Sequence, residues 1–289
     1  MPPAAGFSSS MLKHSVACGF LMTNDPDLKV FLTFGTPPLP PAVEQGWLVH
    51  DGARIWYTVC GDGPAVILLH GGLGHSGNWS YQAVRLVEEG YRVVLIDSRG
   101  HGRSTRDQRP YTYEKMASDV LAVMNKLALD KARFIGWSDG ACTALIFAAR
   151  HPQRTTGVLF FACNMDPSGT KEFQSDPTIE RCFSRHRQDY MALSPTPAGF
   201  DQFVAAVTEM MSTQPNYSAN DLKKIKVPVN VVLGEHDEFI KPEHAIYLAA
   251  TLPNATLTIL PGVSHFAPLQ QPGLFNAEVL KFLLRAQDD

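Results

Sequence analysis

The amino-acid sequence predicts an α/β fold: a mostly parallel, doubly wound sheet with a short helical cap inserted after the sixth strand. Three observations lead there. Apolar runs of strand length recur at Ala65-Val66-Ile67-Leu68-Leu69, Val93-Val94-Leu95-Ile96, Phe134-Ile135-Gly136-Trp137 and Val158-Leu159-Phe160-Phe161. They are continuous rather than alternating, as suits strands covered on both faces. Stretches of helical spacing lie between them; residues 114–129 place Met116, Val120, Val123, Met124 and Leu127 on one face. The alternation breaks once, between Asn164 and Lys226, where two amphipathic helices stand with no strand between them.

Residues 1–45 read as an N-terminal arm, with a Ser run at Ser8 to Ser10 and the spacer Pro37-Pro38-Leu39-Pro40-Pro41. Such composition suits a surface-draped segment on a semi-rigid polyproline linker. Ser15 to Met22, after Lys13 and His14, carries weak features of an export signal but is short for one. From Gly46 the pattern is regular. Arg54 to Val59 is β-branched and aromatic, and Gly61-Asp62-Gly63-Pro64 ends it with turn residues. In the insertion, the first helix begins near Asp176-Pro177 and carries Ile179, Phe183, Tyr190 and Met191. The second carries Phe200, Phe203, Val204, Val207, Met210 and Met211. Strands at 229–233 and 256–260 and helices at 244–251 and 274–284 complete the chain. The expected division is an arm at 1–45, an α/β core at 46–163 and 227–289, and a cap at 164–226.

The 289 residues are 45% hydrophobic and 18% charged, a globular composition. A formal charge of −3 lacks the basic surplus of a nucleic-acid surface, so no nucleic-acid partner is expected. No apolar run reaches membrane-spanning length. The five cysteines are odd in number and lack CxxC spacing, so neither a disulfide framework nor a zinc module is expected. The expected location is the cytoplasm, with export as the alternative; oligomeric state is not encoded in any visible pattern.

The chemistry concentrates in Gly136-Trp137-Ser138-Asp139-Gly140, a G-x-S-x-G pattern between an apolar strand and the helical run 141–150. A strand that turns sharply into a helix strains the central residue and crowds its neighbours, so the flanking positions must be small. Serine needs a base to take its proton, and the base needs a carboxylate to orient it. Downstream strand ends supply Asp237, favoured over Glu235 and Glu238, and then His265. His236 and His244 are expected at the surface. Asp97-Ser98-Arg99-Gly100-His101-Gly102-Arg103-Ser104 reads as a structural turn, and Cys142 as a small core residue of the helix after Ser138. His70-Gly71-Gly72-Leu73-Gly74 follows a strand and can offer a backbone N–H to an oxyanion from Gly72 or Leu73, with Asp139 supplying the second. Trp137, Phe203, Val207, Met211 and the Asp139 side chain are the candidate substrate-binding residues. Arg181, Arg185, His186 and Arg187 read as a solvated helix face.

On these motifs, residues 46–289 resemble the α/β-hydrolase superfamily, and the Gly-Trp-Ser-Asp-Gly elbow is similar to that of valacyclovir-hydrolase-like enzymes and small bacterial carboxylesterases. Ser138 sets the chain apart from the aspartate-using dehalogenases and epoxide hydrolases of that superfamily. The resemblance implies a cofactor-free, metal-free serine hydrolase acting on a small carboxylic ester through an acyl-enzyme. It also implies that the Asp139 carboxylate can hold the amino group of an α-amino ester. The alternatives are a carbon–carbon bond hydrolase or lactonase with the same residues, and a low-turnover ligand receptor.

Overall fold

Strands β3 (Ala65–Leu69), β4 (Arg92–Ile96), β5 (Ala132–Trp137) and β6 (Thr155–Phe161) are buried along nearly their whole length in the computed structural model, which describes residue 25 and residues 28–285. Their continuous apolar sequences require cover on both faces. With β1 (Ala42–His50), β2 (Ala53–Cys60), β7 (Val229–Gly234) and β8 (Ala255–Leu260) they form one eight-stranded sheet in the order β1-β2-β4-β3-β5-β6-β7-β8. β1 pairs antiparallel with β2, and β2 with β4; the later pairs are parallel.

β1 starts at Ala42, ahead of the boundary expected at residue 46, and α1 (Lys29–Phe34) lies earlier still. The sequence pattern hid β1 because it is an edge strand whose side chains are mostly exposed, among them Val43, Trp47 and Val49. The stretch from Ser15 to Met22 lies outside the described residues.

Parallel neighbours need crossovers, which α2 (Ser80–Glu88), α3 (Tyr113–Lys126), α4 (Asp139–Arg150) and α8 (Pro242–Thr251) provide around the sheet, while α9 (Ala267–Gln270) and α10 (Pro272–Arg285) follow the last strand. Between β6 and β7 the chain instead forms α5 (Pro177–Leu193), α6 (Phe200–Thr213) and the short α7 (Ala219–Leu222). Asp176 starts α5: its Oδ1 accepts the N–H groups of Thr178 and Ile179 at 2.6 and 3.0 Å, ahead of a first-turn proline.

The turn after β4 is structural in detail. Buried Asp97 accepts the N–H of Ser76 at 2.7 Å and of Arg103 at 2.8 Å, while Arg99 forms a two-pronged buried pair with Asp119. Cys60, Cys142, Cys163 and Cys182 are free and buried. His244 departs from expectation. It is buried, and its Nε2 accepts the N–H of Met165 at 3.1 Å, tying α8 to the chain entering the cap. No helix among the described residues is long and apolar enough to cross a membrane.

Candidate active site

β5 delivers the chain to Ser138, and α4 departs from Asp139. Ser138 has φ 53° and ψ −125°, a conformation that costs a non-glycine residue on the order of 1–3 kcal/mol. It is held there from both sides. Its N–H donates to Phe161 O at 2.9 Å, and its carbonyl accepts from Ala141 and Cys142 at 2.7 and 3.1 Å. The flanking glycines are explained by contact: a Cβ on Gly136 would collide with the Ala141 backbone, and one on Gly140 with the Leu69 carbonyl. A Cβ on Gly71 would come to 3.2 Å from Ser138 Cβ, so the segment after β3 passes directly beside the serine.

His265 lines the same cavity as Ser138. Its Nδ1 lies 2.9 Å from Asp237 Oδ2. An ionised carboxylate only accepts, so Nδ1 carries the proton and Nε2 is left as the basic nitrogen. Asp237 is buried and fixed: its Oδ1 accepts the N–H groups of Phe239 and Ile240 at 2.9 and 2.8 Å. Lys171 Nζ donates to the Asp237 carbonyl at 2.5 Å.

The two rival carboxylates hold the same loop by its backbone. Glu238 Oε2 accepts the His265 N–H at 2.9 Å, and Glu235 Oε2 accepts the Gly262 N–H at 2.8 Å. Burial by itself would lower the imidazole pKa. The charge and hydrogen bond of Asp237, with the charges of Glu238 and Asp139, outweigh burial and hold His265 above its ordinary 6.5.

The loop after β3 completes the neighbourhood. His70 Nε2 accepts the Ser98 N–H at 3.0 Å, which leaves the proton on Nδ1 to donate to Gly71 O at 2.8 Å. That bond shapes the turn into Gly72 and Leu73, and Leu73 takes a positive φ of 62°. A Cβ on Gly72 would collide with the Met211 methyl and reach 2.7 Å from Asp139 Oδ2. Asp139 is buried; its Oδ1 accepts from Tyr113 Oη at 2.8 Å, and Oδ2 has no partner among the described residues. Burial raises its pKa to about 6, against the opposing pull of the Tyr113 bond and the His265 charge.

A cavity of about 350 Å³ joins these groups. Ser138, His265, Gly72, Leu73, Asp139, Trp137, Val207 and Met211 all line it. Asp237 stands behind His265. Phe203 does not line the cavity, contrary to expectation: its ring stacks on Tyr190 at 4.8 Å and meets His101 edge-on at 4.7 Å, so it packs the cap onto the core. The basic cluster on α5 also divides. Arg181 and Arg187 face outward, whereas His186 is buried and lines the cavity, and Arg185 turns inward to pair with Asp189. Tyr113, Lys171 and Phe239 were not singled out in the sequence; each is one polar or aromatic residue in a loop or helix start, with no periodic signal to mark it.

The sequence profile of the alpha/beta hydrolase fold matches residues 64–209. The chain is 27% identical to a non-heme haloperoxidase of Rhodococcus erythropolis, over 81% of this chain and 97% of that protein. It is 29% identical to a bifunctional esterase/perhydrolase of Acinetobacter calcoaceticus, again over 81% and 97%. A thermophilic esterase from Thermogutta terrifontis shares the fold with a TM-score of 0.68 and 22% identity, covering 84% of this chain and 99% of that one.

Proposed function

The chain belongs to the alpha/beta hydrolase fold family, and from that premise we propose that it is a serine hydrolase cleaving a small carboxylic ester through an acyl-enzyme. One observation carries the reading. Ser138 sits in a strained turn at the head of α4, on the wall of the cavity shared by His265, whose Nδ1 is bonded to buried Asp237 at 2.9 Å.

In this mechanism Ser138 Oγ attacks the ester carbonyl carbon while His265 Nε2 takes its proton. Asp237 holds the ring and stabilises the imidazolium. The negative charge on the former carbonyl oxygen meets the N–H groups of Asp139 and of Gly72 or Leu73, aided by the N-terminal end of α4. His265 returns the proton to the departing alcohol. Water, deprotonated by the same nitrogen, then releases the acid and Ser138.

The reading of Asp139 as a substrate residue also has support. Its unpartnered Oδ2 lies next to Gly72 under the Met211 methyl, within reach of a group bound over Ser138 once that flexible side chain shifts. Charge-assisted bonds of this kind contribute roughly 1.5–3 kcal/mol, which is enough for selectivity toward a protonated amine. The decisive experiment is fluorophosphonate labelling with peptide mapping, followed by a panel of esters, lactones and carbon–carbon substrates. Labelling confined to Ser138 and repeated ester turnover support the proposal. A single turnover burst would favour the receptor reading, and turnover of only carbon–carbon substrates would reassign the reaction.

A further inference from the structure

The described part of the N-terminal arm is built into the molecule as core is. Asp25 is buried, its N–H donates to Gln270 O at 2.7 Å, and its two carboxylate oxygens accept the N–H groups of Lys29 and Val30 at 2.8 and 2.6 Å. Leu28 is 0% exposed and Phe31 3%. A segment that only draped over the surface would not seat two apolar side chains and an acidic residue so deeply.

Its two ends reach segments that carry cavity residues, the loop of His265 and helix α5 with His186. At one end, Gln270 receives Asp25 on its carbonyl, while its Oε1 accepts the N–H of Ser264 at 2.8 Å, the residue immediately before His265. At the other end, the Phe31 ring lies 6.1 Å from His186 on α5, which lines the cavity. Gly35 runs so close to α5 that a Cβ there would come within 2.7 Å of the Arg185 guanidinium. Arg185 pairs with Asp189, and Asp189 faces His75 of the loop after β3 at 3.5 Å. The first cap helix is therefore held between the arm and the core.

We propose that Asp25 and residues 28–35 form a strap that positions the cap helix α5 against the loop carrying His265, and that the strap limits the size of the acyl group accepted over Ser138. Phe31 and Gln270 are its positioning residues. The proposal rests on Ser138 being the nucleophile. Without the strap, α5 keeps its Asp189–His75 contact and its Tyr190 stack on Phe203 but loses the packing of Phe31 beside His186, and a cavity of about 350 Å³ can widen toward longer chains.

The test uses the full-length chain, with p-nitrophenyl esters from acetate to octanoate and hydrogen exchange as a readout independent of turnover. Phe31→Ala should raise the octanoate-to-acetate ratio of kcat/KM at least about fivefold, mainly through KM, with kcat for acetate within about twofold. Amide exchange should accelerate in residues 177–193, and Phe31→Leu should restore most of both. Gln270→Leu should lower kcat at every chain length, whereas Gln270→Glu, which keeps the acceptor for Ser264, should not. If Phe31→Ala and Phe31→Leu leave the chain-length ratio and the α5 exchange unchanged while melting temperature falls, the arm only adds stability and the proposal is overturned. Should Phe31→Ala fail to fold, Phe31→Val, which also removes the ring and shortens the side chain, is expected to raise the chain-length ratio and the α5 exchange, and no change in either overturns the proposal. If wild-type Ser138 takes no fluorophosphonate label, the nucleophile assignment has failed instead, and hydrogen exchange still judges the strap.

Discussion

Ser138 stands 99 residues before Asp237 and 127 before His265, and each of the three is held by bonds outside the Asp237–His265 pair. Ser138 is fixed through its backbone to Phe161, Ala141 and Cys142, His265 through its N–H to Glu238, and Asp237 through its second carboxylate oxygen, Oδ1, which accepts the amides of residues 239 and 240. Ser138→Ala and His265→Ala should each lower kcat by at least about 10³-fold with little change in melting temperature, because such residues act as a unit. Steady-state ester kinetics check this; near-native turnover of Ser138→Ala would refute it.

His265 must be neutral to accept a proton, and its pKa is held above 6.5 by Asp237 despite burial. The rate should therefore rise with pH through a value above 6.5. Asp237→Asn should cut kcat by roughly 10⁴-fold by removing the orienting charge, and the residual activity should have its rising limb displaced to lower pH. Glu235→Gln should alter neither strongly. Asp139 supplies a second titration, near pH 6, above which its charge stands beside the developing oxyanion. Asp139→Asn keeps the backbone donor. It should maintain or raise kcat/KM for neutral esters and lower the amino-ester to neutral-isostere ratio about tenfold; an unchanged ratio would leave the carboxylate to Tyr113 and the helix.

The elbow and the cap make opposite demands on packing. At the elbow, Gly136→Ala would press on the Ala141 backbone, which cannot rotate away, so a destabilisation of at least about 1–3 kcal/mol is expected in urea melts. On α6, neighbouring positions divide between two tasks. Val207 and Met211 line the cavity, and their truncation to alanine should shift acyl-chain preference. Phe203 points into the Tyr190–His101 contact, so Phe203→Ala should cost about 3–5 kcal/mol with the chain-length profile nearly unchanged. A helical period of 3.6 shows which residues turn inward, but not whether a cavity or a neighbouring ring awaits them.

Across the whole molecule, three neutral histidines are buried where cap meets core. Burial lowers His70 and His186 to about 4 and His101 to about 3. Around them stand the charged side chains of Asp97, Asp189 and Arg185 and the ring of His75. An unfolded chain binds protons at these positions below about pH 6.5, while the folded one refuses them until about 4 and 3. Stability contributed by their burial is thus present above 6.5 and falls as pH drops toward 4. His265 has the opposite sign: its raised pKa stabilises the fold when it is protonated and ceases to do so as pH rises through that pKa. With His151 and His244 also lowered by burial, five histidines stand against the raised His265 and Asp139, and the balance predicts a melting temperature that declines from pH 7 to pH 4, with a shallower decline in His186→Leu; a flat profile in the wild type would contradict it.

The parallel sheet, the elbow and the loop after β3 were legible in the sequence because each leaves a local mark. Continuous apolar runs declare doubly covered strands, and glycine appears where a Cβ would strike backbone. The place of Asp237 just beyond β7 was also readable, from the apolar strand before it. What Glu235 and Glu238 do was not, since three neighbouring carboxylates differ only in which loop atom each meets. Tertiary structure alone decided that β1 begins at Ala42, because an exposed edge strand has no apolar run to show. It alone turned His186 and His244 inward and Phe203 away from the cavity, and bound the arm to Gln270 and α5. The physical reason is common to all of these. Local sequence specifies the backbone's periodicity and its tolerance for turns, whereas the partner of a buried polar or aromatic side chain depends on segments brought together only when the sheet and cap close around it.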